Sequence, residues 1–168
     1  LAKVNWIFGK LASIKTQNYK HAKMSGLSED DARKIAFAPH LNIGVFSLMK
    51  QSPCWNVWQT NLKKTLAKGR VFGSEGLAIN MTVYIDNVET EFLPISHNWI
   101  TSHLLPVYDE KNKTFKEPNI PNYEIGIMHL AAGIWKNGVD MRVDKNIKVN
   151  IKSLEGKILK KSLRNLIE

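Results

Sequence analysis

Two side chains are candidates for binding chemistry because of where the sequence places them. Glu75 lies at the start of a predicted helix, where the positive end of the helix dipole favours a carboxylate. It either complements that dipole or accepts hydrogen bonds from the hydroxyl groups of a ligand. Asn42 lies in a nearly apolar run, where a buried amide must find hydrogen-bond partners. It either binds neighbouring backbone or points towards a ligand, and Gly44 beside it allows a close approach.

Strands and helices are predicted to alternate around these residues. Apolar residues 41–49 predict a strand buried on both faces, and residues 92–94 predict a second, short strand. Between them, residues 53–68 and 74–84 predict two helices. This order indicates an α/β protein with a mixed sheet flanked by helices. The residues expected to form the buried stripe of the first of these helices are Trp55, Trp58, Leu62 and Leu66.

Further elements are predicted on both sides of this block. Residues 3–15 have apolar side chains at helical spacing, and Ser28 with Asp31 forms the N-cap pattern of another helix, which Pro39 ends. Later in the chain, residues 107–115 predict a hairpin.

The last part of the chain is basic and alternates in polarity. Residues 147–153 and 157–163 predict two strands joined by a turn. We therefore expect an α/β domain over residues 1–137 and a small, basic β-hairpin tail over residues 138–168.

Five short motifs follow one another through the middle of the chain. They are His-Leu-Asn-Ile-Gly-Val-Phe (40–46), Pro-Cys-Trp-Asn-Val-Trp (53–58), Ser-Glu-Gly-Leu-Ala-Ile-Asn (74–80), Leu-Pro-Ile-Ser-His-Asn-Trp (93–99) and Ile-Gly-Ile-Met-His (125–129). Their order resembles the later half of GT-A-type nucleotide-sugar glycosyltransferases, with bacterial family-eight-like enzymes nearest in pattern. The resemblance covers residues 38–136. It implies a partial GT-A-like domain that moves a sugar from a nucleotide-diphosphate donor to an acceptor hydroxyl.

The resemblance also implies roles for single residues. Glu75 matches an acid at a helix start that contacts the donor or acceptor sugar, which makes it the candidate catalytic residue, although Gly76 replaces the usual Gln. Asn80 matches an Asn that supports the fold. Trp99 either stacks on a sugar ring or packs in the core. The predicted substrate-binding residues are Asn42, Gly44, Asn98, Trp99 and Lys136.

A metal site is implied as well. His129 resembles the histidine that binds the metal after a late strand, and the alternative for it is a hydrogen-bonded core histidine. A neutral imidazole is a suitable third ligand for Mn²⁺ or Mg²⁺ beside two carboxylates. Such an ion would bridge the diphosphate and stabilise the leaving group, and Lys136 would contact phosphate.

Two features of these enzymes are missing from the sequence. The chain contains no Asp-x-Asp metal motif and no glycine-rich phosphate loop. We therefore expect the carboxyl-terminal portion of a transferase, holding the acceptor side. Whether it is an enzyme by itself depends on the missing half.

Composition indicates the partners and the compartment. With 43% hydrophobic residues, one cysteine and no apolar run long enough to span a bilayer, the chain is expected to be a globular cytoplasmic protein. The net charge of +9 and the basic segments 145–152 and 157–164 predict either a solvated face or contact with phosphates or a membrane surface. The expected partners are a nucleotide-diphosphate sugar and a glycan or lipid-linked acceptor.

Two other classes of function remain open. In a non-catalytic carbohydrate- or partner-binding module, aromatic side chains would stack on the ligand and His129 would be structural. A nucleic-acid-binding domain is suggested by the charge. It ranks last, because the aromatic residues are not interleaved with the basic ones.

Overall fold

A computed structural model describes residues 2–3, 8–130 and 148–164. The chain divides into two compact units, Leu1–Leu93 and Pro94–Glu168. Within the described ranges, the α-helices belong to the first unit and a four-stranded mixed sheet belongs to the second. The predicted mixture of helices and sheets, including a mixed sheet, is therefore confirmed.

Helices dominate the first unit. The helices over Cys54–Lys68 and Ser74–Tyr84 match the predicted ranges closely. The ends of the first are set by nearby residues: Pro53 precedes it, and at its end the Gly69 N–H donates to the Thr65 carbonyl at 2.8 Å. The elements are β1 (Ala2–Lys3), α1 (Phe8–Met24), α2 (Glu29–Phe37), β2 (Leu41–Asn42), α3 (Cys54–Lys68) and α4 (Ser74–Tyr84), with β1 and β2 antiparallel.

The first predicted helix has different bounds in the structure. Helix α1 continues to Met24, beyond the predicted end at residue 15, because no Gly or Pro interrupts residues 16–24 and Ala22 packs in the core. A turn follows at Gly26, whose φ is +84°. The next helix begins as predicted, since the Asp31 N–H donates to the Ser28 hydroxyl at 3.1 Å.

The predicted strand over 41–49 is wrong after its first two residues. The side-chain oxygen of Asn42 accepts the Gly44 N–H at 2.7 Å, which turns the chain immediately after β2. The predicted strand at 92–94 is also absent, apart from a single bridge at Leu93. The α/β interpretation therefore predicted the helices of this block correctly and overestimated its strands.

The core of the first unit is formed mainly by α1, α2 and α4. Its buried members are Ala22, Ala32, Ile35, Leu77 and Met81. The predicted buried stripe of α3 is wrong, since Trp55 is 39% and Leu66 is 44% exposed. Helix α3 instead buries Asn61 and Thr65, and Asn61 donates to the Thr82 hydroxyl at 3.1 Å.

The second unit is built mainly from short strands. They are β3 (Trp99–Ile100), β4 (Val107–Asp109), β5 (Thr114–Lys116), β6 (Met128–His129), β7 (Lys148–Ser153) and β8 (Ile158–Ser162), and a short 3-10 helix, Ile95–Asn98, precedes them. Strands β3 and β6 are parallel neighbours. The other four form a sheet in the order β5-β4-β7-β8, in which β4 and β7 are parallel.

Both predicted hairpins are present. Strand β4 pairs antiparallel with β5, and β7 pairs antiparallel with β8. The second hairpin joins β4 and so is part of a larger sheet. The predicted domain boundary at residue 137 lies outside the described residues and stays a prediction.

One core holds the strands of the second unit. Side chains alternate along β7, where Val149 and Ile151 are buried and the lysines face solvent, as the sequence predicted. The buried cluster contains Trp99, Tyr108, Phe115, Ile125, Val149, Ile151 and Leu163.

A single carboxylate organises the turn between β4 and β5. Asp109 Oδ1 accepts the backbone N–H groups of Lys111 and Asn112, each at 3.0 Å, and Oδ2 accepts the Asn112 side chain at 2.8 Å. Lys116 Nζ lies 3.0 Å from Oδ2. These bonds, above all the Asn112 backbone N–H, hold the pKa of Asp109 well below its usual range.

Asp109→Asn is expected to destabilise the second unit at neutral pH and to matter less in acid. The depressed pKa means that the charged form stabilises the fold fully above the unfolded-state pKa of about 3.9. That contribution disappears as the pH falls through the lower pKa of the folded state. Urea unfolding from neutral pH down to about pH 2 measures the difference. A difference that does not change with pH would contradict the role given to this carboxylate, and Glu110→Gln is the neighbouring control.

No helix in the described ranges is long and apolar enough to cross a membrane.

Candidate functional site

A polar cavity of about 270 Å³ lies in the first unit, beside β2 and the start of α4. Side chains from α1, from the loop before β2 and from the segment before α4 converge on it. Its polar lining consists of Asn18, His21, His40, Asn42, Arg70, Glu75 and Asn80. Amide, imidazole, guanidinium and carboxylate groups therefore surround one small volume, which suits a ligand rich in hydrogen-bonding groups.

Two predicted site residues meet at this cavity. Glu75, the candidate catalytic residue, and Asn42, a predicted substrate-binding residue, both line it. Glu75 is exposed in the first turn of α4, and its backbone carbonyl accepts the indole N–H of Trp58 at 3.3 Å. Gly44 is outside the lining and is exposed, and its N–H is bonded to the Asn42 side chain.

Asn80 fixes one wall of the cavity. Its side-chain oxygen accepts the Leu41 N–H at 3.0 Å, and its amide group donates to the Leu41 carbonyl at 3.0 Å and to the Gly76 carbonyl at 2.8 Å. This amide therefore ties β2 to α4, as its expected role in supporting the fold requires. These three hydrogen bonds, called the Asn80 clamp below, hold the backbone next to Asn42.

His21 was not among the predicted site residues, although it is central to the cavity. The side chain is 94% buried, since its exposed fraction is 6%. The backbone carbonyl of Arg70 favours a proton on the ring, while Nε2 has no hydrogen-bond partner among the residues described. Burial, followed by the charge of Arg70, lowers the pKa of His21, so the ring is neutral at neutral pH. If the sequence had predicted that α1 continues to Met24, His21 would have been expected on the same helix face as Asn18, one turn away.

A second imidazole borders the same space. His40 Nδ1 lies 3.2 Å from the side-chain nitrogen of Asn18. This contact joins the middle of α1 to the residue before β2. The cavity wall is thus closed by side-chain hydrogen bonds between segments distant in sequence.

An apolar cavity of about 300 Å³ lies elsewhere in the first unit. Phe46, Leu48, Trp58 and Val83 are among its lining residues. Trp55 and Trp58 stack with ring centroids 5.7 Å apart, and Phe46 packs edge-on against both. This aromatic cluster is partly exposed, since Phe46 is 41% and Trp55 is 39% exposed.

The second unit contains the other predicted site residues. Trp99 is only 2% exposed, and its indole N–H donates to the Leu104 carbonyl at 2.8 Å. Of the two roles considered for Trp99, packing in the core is the one that this burial supports. Asn98 is fully buried, and its side-chain oxygen lies 2.8 Å from His129 Nδ1.

His129 alone does not form a metal site. Burial lowers its pKa, which favours the neutral imidazole that metals bind. However, residues 8–130 and 148–164 contain no group of three His, Cys, Asp or Glu side chains suited to hold a metal ion. These residues therefore do not fit Mn²⁺ or Mg²⁺ by themselves, and the metal stays a prediction. Lys136, the predicted phosphate contact, lies outside the described residues.

Basic side chains line the exposed face of β7 and β8. Lys148, Lys152 and Lys160 are exposed, whereas Lys161 lies over the ring of Tyr108, 4.1 Å from its centroid. The charge of Lys161 thus makes a cation–π contact within the second unit. The rest of the positive charge is available to an anionic partner.

Comparison with protein-family models, with curated proteins and with solved structures finds no match for this chain. Its function therefore has to be argued from the cavity and its residues.

Proposed function

We propose that this chain is the carboxyl-terminal portion of a nucleotide-sugar glycosyltransferase and that the polar cavity of the first unit holds a sugar. One observation carries the proposal: Glu75 and Asn42, which come from two separate motifs of the resemblance, line the same cavity. Two motifs distant in sequence thus contribute to one cavity.

The chemistry of the cavity suits a sugar. Each sugar hydroxyl donates and accepts a hydrogen bond, and a carboxylate such as Glu75 makes the stronger, charge-assisted kind. Ligand pockets for drug-sized molecules occupy about 300–1,000 Å³. A volume of about 270 Å³ therefore suits one sugar ring rather than an entire nucleotide sugar.

The transfer reaction needs its two partners to be held in a fixed geometry. A bond forms between the acceptor hydroxyl oxygen and the anomeric carbon as the bond from that carbon to the diphosphate oxygen breaks, and the hydroxyl proton passes to the departing diphosphate or to water. Glu75 would hold a hydroxyl of the bound sugar, and positioning of this kind supplies much of the rate enhancement in two-substrate reactions. The exposed lysines of β7 and β8 would bring an acceptor carried by anionic lipid towards the protein.

Glu75→Gln is expected to weaken sugar binding by about five- to tenfold, because the glutamine oxygen still accepts and the loss is the difference of about 1–1.5 kcal/mol between a hydrogen bond to a charged group and one to a neutral group. Titration calorimetry with UDP-glucose, UDP-galactose and UDP-N-acetylglucosamine, with UDP alone as reference, measures the sugar-dependent part of the affinity. Titrations in MnCl₂ and in EDTA report separately on the metal.

Glu89→Gln is the matched control, because Glu89 is exposed and lines the apolar cavity instead. It should leave affinity unchanged. Equal affinity of Glu75→Gln and wild type, or an affinity for UDP that no attached sugar alters, would refute the proposal.

A non-catalytic carbohydrate-binding module is the second candidate, and the exposed aromatic cluster of Phe46, Trp55 and Trp58 is the observation that favours it. Flat aromatic faces bind the apolar faces of sugar rings. Such a module would bind free oligosaccharides through Trp55 and would not distinguish UDP-sugars from the same sugars without UDP.

A further inference from the structure

In the first unit, one ring nitrogen of His21, Nε2, is buried without a hydrogen-bond partner among the described residues. Buried polar atoms in folded proteins have hydrogen-bond partners in about 90% or more of cases, and a missing bond is destabilising. His21 Nε2 is buried without such a partner among the described residues, and its side chain lines the polar cavity. A ligand in that cavity would supply the missing bond.

The protonation of the ring defines what kind of group can bind. The Arg70 carbonyl can only accept and Nε2 is the ring nitrogen without a partner, which together favour the tautomer with the proton on Nδ1. Nε2 of the neutral ring then presents a lone pair. The partner must be a hydrogen-bond donor, which a sugar hydroxyl is and a fully ionised phosphate is not.

The surroundings hold the imidazole in this position. Gly73 precedes α4 with a φ of +84°, and a Cβ at this residue would lie 3.6 Å from Cε1 of His21. The ring thus lies against Gly73, at the start of α4 and two residues before Glu75. The negative charge of Glu75 acts to raise the pKa of His21, against the larger effect of burial. Two acceptors, an imidazole nitrogen and a carboxylate, therefore border the same volume.

We propose that His21 is a further ligand-binding residue whose Nε2 accepts a hydrogen bond from a hydroxyl of a neutral sugar in the polar cavity. This inference rests on the proposed function and names the group that the site recognises, a polyol rather than a phosphate.

Two variants and one direct measurement test this inference. His21→Phe keeps a ring of similar size and removes the acceptor, whereas His21→Gln retains a side-chain oxygen that can accept. The probes are glucose, galactose, mannose and N-acetylglucosamine, with sulfate, which is fully ionised and has no hydrogen-bond donor at neutral pH, as the anionic comparison. The amide signals of Gly73 and Gly76 report binding by NMR.

We expect one of these sugars to bind and His21→Phe to weaken it by about two- to tenfold, the effect of a single net hydrogen bond of about 0.5–1.5 kcal/mol. His21→Gln should retain part of the affinity. In the unaltered protein, the ¹⁵N shift of His21 Nε2 should move on sugar addition towards the hydrogen-bonded value, a measurement that no folding defect can affect. Sulfate should produce neither effect.

The possible failures are distinct. Sugar binding that Glu75→Gln weakens and His21→Phe leaves unchanged would refute the His21 inference and keep the proposed function. Sugar binding that needs His21 and that Glu75→Gln leaves unchanged would keep the inference and refute the proposed function. Binding of sulfate alone, or of no probe, would refute both.

Discussion

Trp99→Ala is expected to lower the stability of the second unit by about 3–5 kcal/mol, the usual cost of deleting a large buried aromatic side chain. Trp99 is almost fully buried in the cluster with Tyr108 and Ile151. The substitution leaves a cavity there and also removes the donor to the Leu104 carbonyl. Urea unfolding, followed by exchange of the backbone amide protons of β7, measures the loss for this unit separately.

Two further variants test the reason for the loss. Trp99→Phe keeps most of the apolar volume, so it should cost less than the alanine variant. Tyr123→Ala removes an aromatic side chain that is 62% exposed in the same unit, and it should change stability by no more than about 0.5 kcal/mol. If Trp99→Ala instead kept full stability and lost sugar affinity, the alternative of ring stacking would describe Trp99 better.

Most helices and both hairpins can be predicted from local signals in the sequence. Helix α3 could be predicted because Pro53 and Gly69 define its ends within the sequence itself. The hairpin of β7 and β8 could be predicted because lysines alternate with apolar residues and Gly156, at a φ of +87°, forms the turn. Such features need no knowledge of distant contacts.

Elements that depend on distant partners could not be predicted in the same way. The apolar run after His40 was expected to continue as a strand, but the Asn42 side chain captures the Gly44 N–H and turns the chain. The stripe of α3 was expected to face the core because its residues are apolar. The buried face is instead polar, since Asn61 finds its partner on α4 in Thr82.

The residues of the candidate site also differ in whether local sequence signals identify them. Glu75 and Asn42 belong to short motifs with recognisable residue types, so both were proposed before their positions were known. His21 lies in a segment with no motif, and its role depends on the burial of its ring and on the carbonyl of Arg70. Neither property can be inferred from the residues next to it.

The second large effect is expected at Asn80, because one amide satisfies both backbone groups of a buried residue. Leu41 is completely buried, and its N–H and carbonyl both bond the Asn80 side chain. Asn80→Leu keeps a similar volume and leaves both groups without a partner. At about 1–3 kcal/mol for each, the expected loss in unfolding free energy of the first unit is about 2–6 kcal/mol.

Asn80→Asp and Asn56→Leu separate this effect from simpler causes. At neutral pH the aspartate keeps the acceptor for the Leu41 N–H but places a buried carboxylate against the Leu41 and Gly76 carbonyls, so its loss should equal or exceed that of Asn80→Leu. In acid, the protonated carboxyl can donate again, so the loss should become smaller. Asn56 is an exposed residue of α3, and the same change there should alter stability by about 0.5 kcal/mol or less. Equal losses at the two positions would mean that helix propensity, not the clamp, explains the result. Because the clamp also holds β2 beside Asn42, Asn80→Leu should weaken sugar binding under conditions where the protein is still folded, which ties the stability of this wall to the function proposed for the cavity.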